Sequence, residues 1–156
     1  MPDLHPELAP LSGLLDRLTA VIRRLPTPGG LSPVTAGALN TLSRYGATRL
    51  SDLAHSEAVT QPGMTQLVAR LERDGLAQRR PDPQDRRAVL VAITPAGQAL
   101  LAERRAARAG QIAEFVSALD GGAQGRLAAA IPALEQIAEL GELARSARLQ
   151  PVGVGA

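Results

Sequence analysis

The side chains best equipped for chemistry cluster between residues 60 and 87. Thr60, Gln61 and Pro62 open a segment that continues through Thr65, Gln66, Arg70 and Arg73. Glutamine can pair bidentately with an adenine edge, threonine can reach a base or a thymine methyl, and arginine can reach guanine or a phosphate. Residues 70–87 hold six arginines against four acids, so the whole formal excess of +2 lies there and the rest of the chain balances. All 17 basic residues are Arg, the side chain suited to planar, bidentate contacts with phosphate or guanine. Biased codon usage explains the missing lysines more cheaply, so the location of the excess carries more weight than its type. Further along the same stretch, Arg86 and Arg87 adjoin Asp82 and Asp85.

Other chemistries are poorly served. With no cysteine there is no disulfide, thiolate metal site or Cys nucleophile. His5 and His55 are the only histidines, too few for a His-rich metal site, and both read as solvated. The sequence contains no phosphate-binding Gly loop, nucleophile elbow or HExxH motif. Many of the acids have an arginine close by in sequence, as Glu72 and Asp74 do with Arg70 and Arg73. An enzyme is not expected, nor is any catalytic residue, cofactor or metal. No apolar run approaches the length of a membrane span. The opening MPDLHPELAP carries acids where a signal peptide needs basic residues, so a cytoplasmic location is expected.

The elements that must position these residues are helical. A chain of 156 residues is about one domain with appended arms. With one Tyr, one Phe and no Trp, its core must be Leu, Val, Ile and Ala, which suits packed helices. Leu8, Leu11, Leu15, Leu18 and Ile22 mark a first helix over about 6–25, stopped by Pro26, Pro28, Gly29 and Gly30. Ser32-Pro33 caps a second helix, striped by Val34, Ala38, Leu39 and Leu42 and closed by Gly46. Arg49-Leu50 reads as a short extended link. Ser51 is placed to cap a short helix, SDLAHSEA. After a brief turn, Thr60 or Gln61 caps the next helix, whose Met64, Leu67, Val68 and Leu71 fall at i, i+3, i+4 and i+7. Gly75 and Leu76 predict a Schellman end. Residues 51–74 thus have the spacing of a helix-turn-helix. The stretch 77–80, the turn PDPQD and the alternation Val89, Val91, Ile93 then predict a β-hairpin. Helix-turn-helix followed by a hairpin is a winged helix.

Thr94-Pro95 opens a long helix with Ala99, Leu100, Ile112, Phe115, Val116 and Leu119 as its apolar members. Asp120 is placed to cap a last helix carrying Leu127, Ile131, Leu134, Ile137 and Leu140, with Pro132 predicting a kink near Ala128–Ile131. The tail QPVGVGA is expected to be disordered. The expected fold is mainly α with a small β-hairpin wing: a winged helix-turn-helix plus a helical dimerisation region. Its parts are an N-terminal dimerisation helix in 1–30, the winged module in 31–94, dimerisation helices in 95–148 and the tail in 149–156. Apolar stripes that one chain cannot cover are expected to meet a second copy, giving a homodimer.

The stripe on the 60–74 helix turns Pro62, Gln66, Ala69 and Arg73 outward, with Thr65 and Arg70 flanking that face. Alone, this would be an ordinary solvated face; the hairpin behind it favours base reading in a major groove. Ser51 and Thr60 are caps first and phosphate donors second. Arg79 and Arg80 flank the strand, and a phosphate contact for one of them is about as well supported as a solvated strand face. A loop Arg beside such a helix can enter a narrow minor groove, and both Arg86 and Arg87 qualify.

The segments LSPVTAGALNTLSRYG, RLSDLA, VTQPGMTQLVARLERDGL and DPQDRRAVLVAITPAG, in this order and spacing, resemble the MarR (multiple antibiotic resistance regulator) family of winged-helix transcription factors. The resemblance covers residues 30–100 in detail and the flanking helices in outline. It implies a homodimeric regulator of double-stranded DNA, most simply a repressor of palindromic operators. It implies that one wing Arg, Arg86 or Arg87, enters the minor groove, with Asp85 orienting Arg87 or Arg70 by a charge-assisted bond. It also implies release from DNA by a small-molecule effector, for which the sequence shows no ligand group. Two rival readings stand beside it: a winged helix used for protein–protein contact, which the low net charge favours, and a nonspecific architectural DNA binder, which Gln61, Thr65 and Gln66 argue against.

Overall fold

The computed structural model describes residues 8–83 and 88–149, with side chains to residue 144. His5, Asp85, Arg86, Arg87 and the tail from 150 lie outside the described residues. The elements run α1 (Leu11–Arg24), a 3-10 turn (Pro28–Gly30), α2 (Pro33–Tyr45), β1 (Thr48–Arg49), α3 (Leu50–Ser56), α4 (Gln61–Arg73), β2 (Ala77–Pro81), β3 (Val89–Ile93), α5 (Pro95–Ser117) and α6 (Gly121–Leu149).

The capping residues do what their chemistry predicts. Ser32 Oγ accepts from the Thr35 amide at 3.1 Å, Thr60 Oγ1 from Gly63 at 3.3 Å, Thr94 Oγ1 from Gly97 at 3.1 Å and Asp120 Oδ1 from Ala123 at 2.9 Å. Each satisfies an amide that the first helical turn leaves without a partner. α4 ends in a Schellman motif: Gly75 sits at φ +71°, its amide donates to Glu72, and the Leu76 amide donates to Leu71 at 2.8 Å.

Three boundaries differ from the sequence reading. α1 starts at Leu11, and Leu8 lies in a turn ahead of it, because Pro10 disfavours helical backbone at the residue before it. Residues 48–49 are more than a link. They form a third strand, antiparallel to β3 with Thr48 opposite Val91 and Arg49 opposite Leu90, so the sheet order is β1-β3-β2. Consequently α3 starts at Leu50, directly after the strand, with Arg49 at its cap position. Ser51 is inside the first turn and its hydroxyl donates to Asp52 at 3.2 Å, so it is not a cap.

The core lies within the winged module. Leu39 and Leu42 of α2, Leu53 of α3, Met64, Val68 and Leu71 of α4, and Val91 of β3 are fully buried, and Leu101 of α5 joins them. On α5 the buried positions are Gly97, Leu101 and Arg104, whereas Ala99, Ile112 and Phe115 are exposed. α1 contributes no buried residue, and α6 exposes Leu127, Ile131, Leu134, Ile137, Leu140 and Leu143. α6 carries Pro132 in its interior, and an Arg44–Glu142 ion pair joins it to α2.

Candidate nucleic-acid interface

α4 presents its outer face because its inner one is committed. Met64, Val68 and Leu71 are buried, Leu67 is half-buried, and Gln61, Pro62, Thr65, Gln66, Arg70 and Arg73 are all exposed. Ala69, expected on that face, is half-buried. The Thr65 hydroxyl donates back to the Gln61 carbonyl at 2.9 Å, so its methyl and lone pairs are what remain for a partner. Among the described residues, Gln66, Arg70 and Arg73 take no side-chain hydrogen bond or ion pair. The face therefore combines one amide and two guanidinium groups free to engage a ligand.

The hairpin is fixed to this helix. Arg79 on β2 donates its backbone amide to Glu72 Oε1 at 2.9 Å, its Nη1 to Glu72 Oε2 at 2.6 Å and its Nη2 to the Thr65 carbonyl at 3.3 Å. Glu72 is thus the partner of Arg79 rather than of Arg70 or Arg73, its neighbours in sequence. Through these three bonds Arg79 fastens the hairpin to α4. Arg80, next along the strand, is exposed. β2 and β3 pair in continuous register from Ala77 opposite Ile93 to Pro81 opposite Val89.

A second anchor holds the base of the wing. Arg49 Nε and Nη2 lie 3.0 and 2.9 Å from Asp82 Oδ2, and the Asp82 amide donates to the Ala88 carbonyl at 3.2 Å. Sequence reasoning grouped Asp82 with the wing arginines and missed Arg49, because a two-residue strand leaves almost no pattern. The same region forms a cleft of about 250 Å³ lined by Arg49, Leu50, Ser51, Gln61, Ala88 and Val89. It brings Ser51 and Gln61, from different helices, to one concave surface beside the wing. Asp85, Arg86 and Arg87 were assigned to the wing tip and fall outside the described residues.

The helix-turn-helix corner is set by Glu57, whose carboxylate accepts from Thr41 Oγ1 at 2.9 Å, tying the turn to α2. Ala58, next in the turn, has φ +53°, in the left-handed region. Among the described residues no three His, Asp or Glu side chains are grouped so as to hold a metal, and no helix is long and apolar enough to cross a membrane.

The MarR family model matches residues 31–89. An HTH-type transcriptional regulator of Mycobacterium bovis, itself uncharacterized, is 37% identical over 94 residues, covering 60% of this chain and 64% of that protein. The HTH-type transcriptional repressor NicR of Pseudomonas putida is 34% identical over 85 residues, 54% of each chain. The chain therefore spans less than two thirds of either relative. Among solved structures, a transcriptional regulator from Thermotoga maritima superposes with a TM-score of 0.72 at 26% identity, covering 85% of this chain and 96% of that one. The matched region runs from α2 through α3 and α4 to β2 and the first residue of β3. Residues 31–89 of the chain match the MarR family model, and the fold around them is similar to that of the transcriptional regulator from Thermotoga maritima.

Proposed function

We propose that this protein is a homodimeric, sequence-specific DNA-binding transcriptional regulator, acting in the cytoplasm as a repressor at palindromic operators. The observation that carries the reading is the exposed face of α4 held rigidly beside a wing by the Arg79–Glu72 clamp. In this reading Gln61, Thr65 and Gln66 are base readers, Arg70 and Arg73 make guanine or phosphate contacts, and Arg86 and Arg87, which lie outside the described residues, are the minor-groove candidates that the family resemblance implies. Nothing in this arrangement assembles a nucleophile with a base, so regulation rather than catalysis fits it. Repression is the sense carried by the likeness to NicR.

The dimer reading rests on α1, α6 and the end of α5. Leu14, Leu15, Leu18 and Val21 on α1 and the six large apolar residues of α6 are exposed in the single chain. Patches of this extent mark association surfaces. Two-fold symmetry then places the recognition helices roughly 34 Å apart, one turn of DNA, and makes the operator an inverted repeat. Release by a small molecule that alters this spacing belongs to the same proposal and rests on the family resemblance alone.

Selection of the purified protein on randomised duplex DNA, at near-physiological salt, tests it. Enrichment of an inverted repeat with half-sites one turn apart supports a dimeric base reader. Binding without an enriched motif supports an architectural binder, and no binding by a folded dimer supports a protein-contact module.

A further inference from the structure

Gly37 and Thr41 lie one turn apart on the same side of α2. Thr41 is buried, and its hydroxyl donates to Glu57 Oε1 at 2.9 Å. Ser56 Oγ lies 3.3 Å from the same oxygen and also donates to the Leu53 carbonyl at 3.0 Å. The other carboxylate oxygen lies over Gly37. A Cβ on Gly37 would run into Glu57 Oε2 and come within 3.0 Å of Glu57 Cδ. The carboxylate therefore sits across two positions of α2, one oxygen on a hydroxyl and the other on a bare glycine.

Glycine inside a helix is a poor helix former, and Gly37 is not among the positions with positive φ, so its own backbone does not call for it. What it supplies is room for Glu57. Alanine would restore helix propensity and would meet only the far end of a flexible side chain. That side chain has somewhere to go, because a cavity of about 570 Å³ adjoins it, with Gly37, Thr41, Arg44, Glu57 and Arg105 in its lining. A carboxylate swung into the cavity leaves Thr41, whose buried hydroxyl then loses its acceptor. The substitution is thus cheap for the fold and selective against the seat.

The seat lies four positions before Gln61, where α4 begins. Between them Ala58 is held at φ +53°, the Val59 amide donates to Ala54 at 3.0 Å and Thr60 caps α4. Met64, Val68 and Leu71 bury the inner face of α4, but apolar contact is non-directional and leaves the pose of its first turn to polar ties. We propose that Glu57 is a positioning residue for base reading: seated on Gly37 and Thr41, it fixes the start of α4 against α2 and so sets where Gln61, Thr65 and Gln66 meet a base edge. Hydrogen bonds to base edges weaken steeply off their preferred geometry, whereas the electrostatic attraction of arginine to phosphate is far less directional. The positioning role rests on the DNA-binding reading above; the seat does not.

Gly37→Ala, Glu57→Ala and the double variant, each in the full chain, form a double-mutant cycle. It is read on the selected operator, on a scrambled duplex and, without DNA, by amide hydrogen exchange at Ala58 and Val59, with Tm recorded for each variant. Gly37→Ala should hold or raise Tm, yet weaken operator binding about five- to tenfold and speed exchange at both amides by a similar factor. Glu57→Ala should move both readouts the same way, and adding Gly37→Ala to it should move neither further. If Gly37→Ala does not fold, Thr41→Val takes its place in the cycle, because it removes the hydroxyl and nearly keeps the volume. Losses that add would mean that Gly37 acts through its own backbone rather than through Glu57, and would overturn the proposal. So would unchanged affinity and exchange in Gly37→Ala, which would mean that the carboxylate shifts without leaving Thr41. An equal loss on the scrambled duplex would mean a weakened surface rather than a misplaced base reader, and would overturn it too. A wild type that binds no duplex would overturn the base-reading role together with the proposed function, and the exchange readout would then decide the seat by itself.

Discussion

The Arg49 guanidinium and the Asp82 carboxylate meet across 33 positions of chain, with Nε 3.0 Å and Nη2 2.9 Å from the same oxygen. Asp82 is 6% exposed, whereas the Arg49 side chain is 44% exposed. The buried member is thus the acid, at the point where the wing leaves the sheet. Arg49 belongs to β1, which also leads directly into α3. One ion pair therefore couples the wing base to the start of the helix-turn-helix.

Arg49→Met keeps the aliphatic stem and removes both donors from a desolvated carboxylate. Hydrogen bonds to charged groups are worth about 1.5–3 kcal/mol, and the exposure of Arg49 places this pair at the low end. A loss of about 1–2 kcal/mol in urea unfolding is expected. Operator affinity should fall further than stability alone accounts for, measured where both variants are fully folded. An unchanged affinity would show that Asp82 does not need Arg49 to hold the wing.

Ala58 occupies φ +53° in the turn between α3 and α4, pinned between Glu57, bonded to Thr41, and Val59, whose amide donates to Ala54. A residue with a Cβ pays about 1 kcal/mol or more in this region, and glycine does not. Ala58→Gly should raise the urea midpoint by the equivalent of about 0.5–1 kcal/mol, and Ala58→Val should lower it. Operator affinity should be unaffected by the glycine.

Most of the scaffold was legible in the sequence because its signals are local. Ser32-Pro33, Thr60 with Pro62, and Thr94-Pro95 each announce a helix start within four residues, and Gly75 announces an end. The apolar spacing of Met64, Leu67, Val68 and Leu71 fixed which side of α4 looks outward. The features that escaped are the ones made by distant partners. β1 is two residues long and exists only because β3 lies beside it. Arg79 finds Glu72 seven positions back and Arg49 finds Asp82 across the sheet, so neither pairing has a periodic signature. Arg104 on α5 is buried and donates to the Pro28 carbonyl between α1 and α2, a partner 76 positions away that leaves no local pattern.

Gly97 shows the reverse case, a motif residue whose reason only the packing supplies. A Cβ there would run into the Leu76 backbone carbonyl and come within 2.7 Å of Ile93 Cγ1. The same carbonyl accepts from the Thr94 amide at 3.1 Å, so it cannot swing away freely. Gly97→Ala should destabilise by about 1–3 kcal/mol, the usual cost of overpacking, despite the better helix propensity of alanine. Thermal unfolding measures this, and a neutral or stabilised variant would mean that α5 shifts without penalty.

On the outer face of α4 the proposed roles separate by salt dependence. Gln66 has an amide suited to a base edge, and Arg73 lies two turns further on, at the C-terminal end of α4. Gln66→Ala should cost about 1–3 kcal/mol on the selected operator, relax preference at one base position and leave the salt slope unchanged. Arg73→Ala should weaken binding nearly uniformly across sequences and reduce the slope of log affinity against log salt by about 1. The measurement is a salt titration of each variant on the operator and on a scrambled duplex. If both variants lose affinity equally on the two duplexes, α4 holds DNA by its backbone alone and the base-reading assignment fails.

Leu18 on α1 and Leu134 on α6 are 46% and 39% exposed in the single chain, although both lie on apolar faces. A carboxylate placed on either face costs the isolated fold little, since neither side chain belongs to the core. Across a dimer interface the same change buries an unpaired charge, which costs several kcal/mol. Leu134→Glu should therefore shift a homodimer toward monomer in sedimentation velocity while circular dichroism shows the helices intact. Operator affinity should fall with it, because one winged module alone contacts half a palindrome. A variant that stays dimeric would exclude this face of α6 from the interface. A wild type that is monomeric at micromolar concentration would remove the dimer from the proposed function.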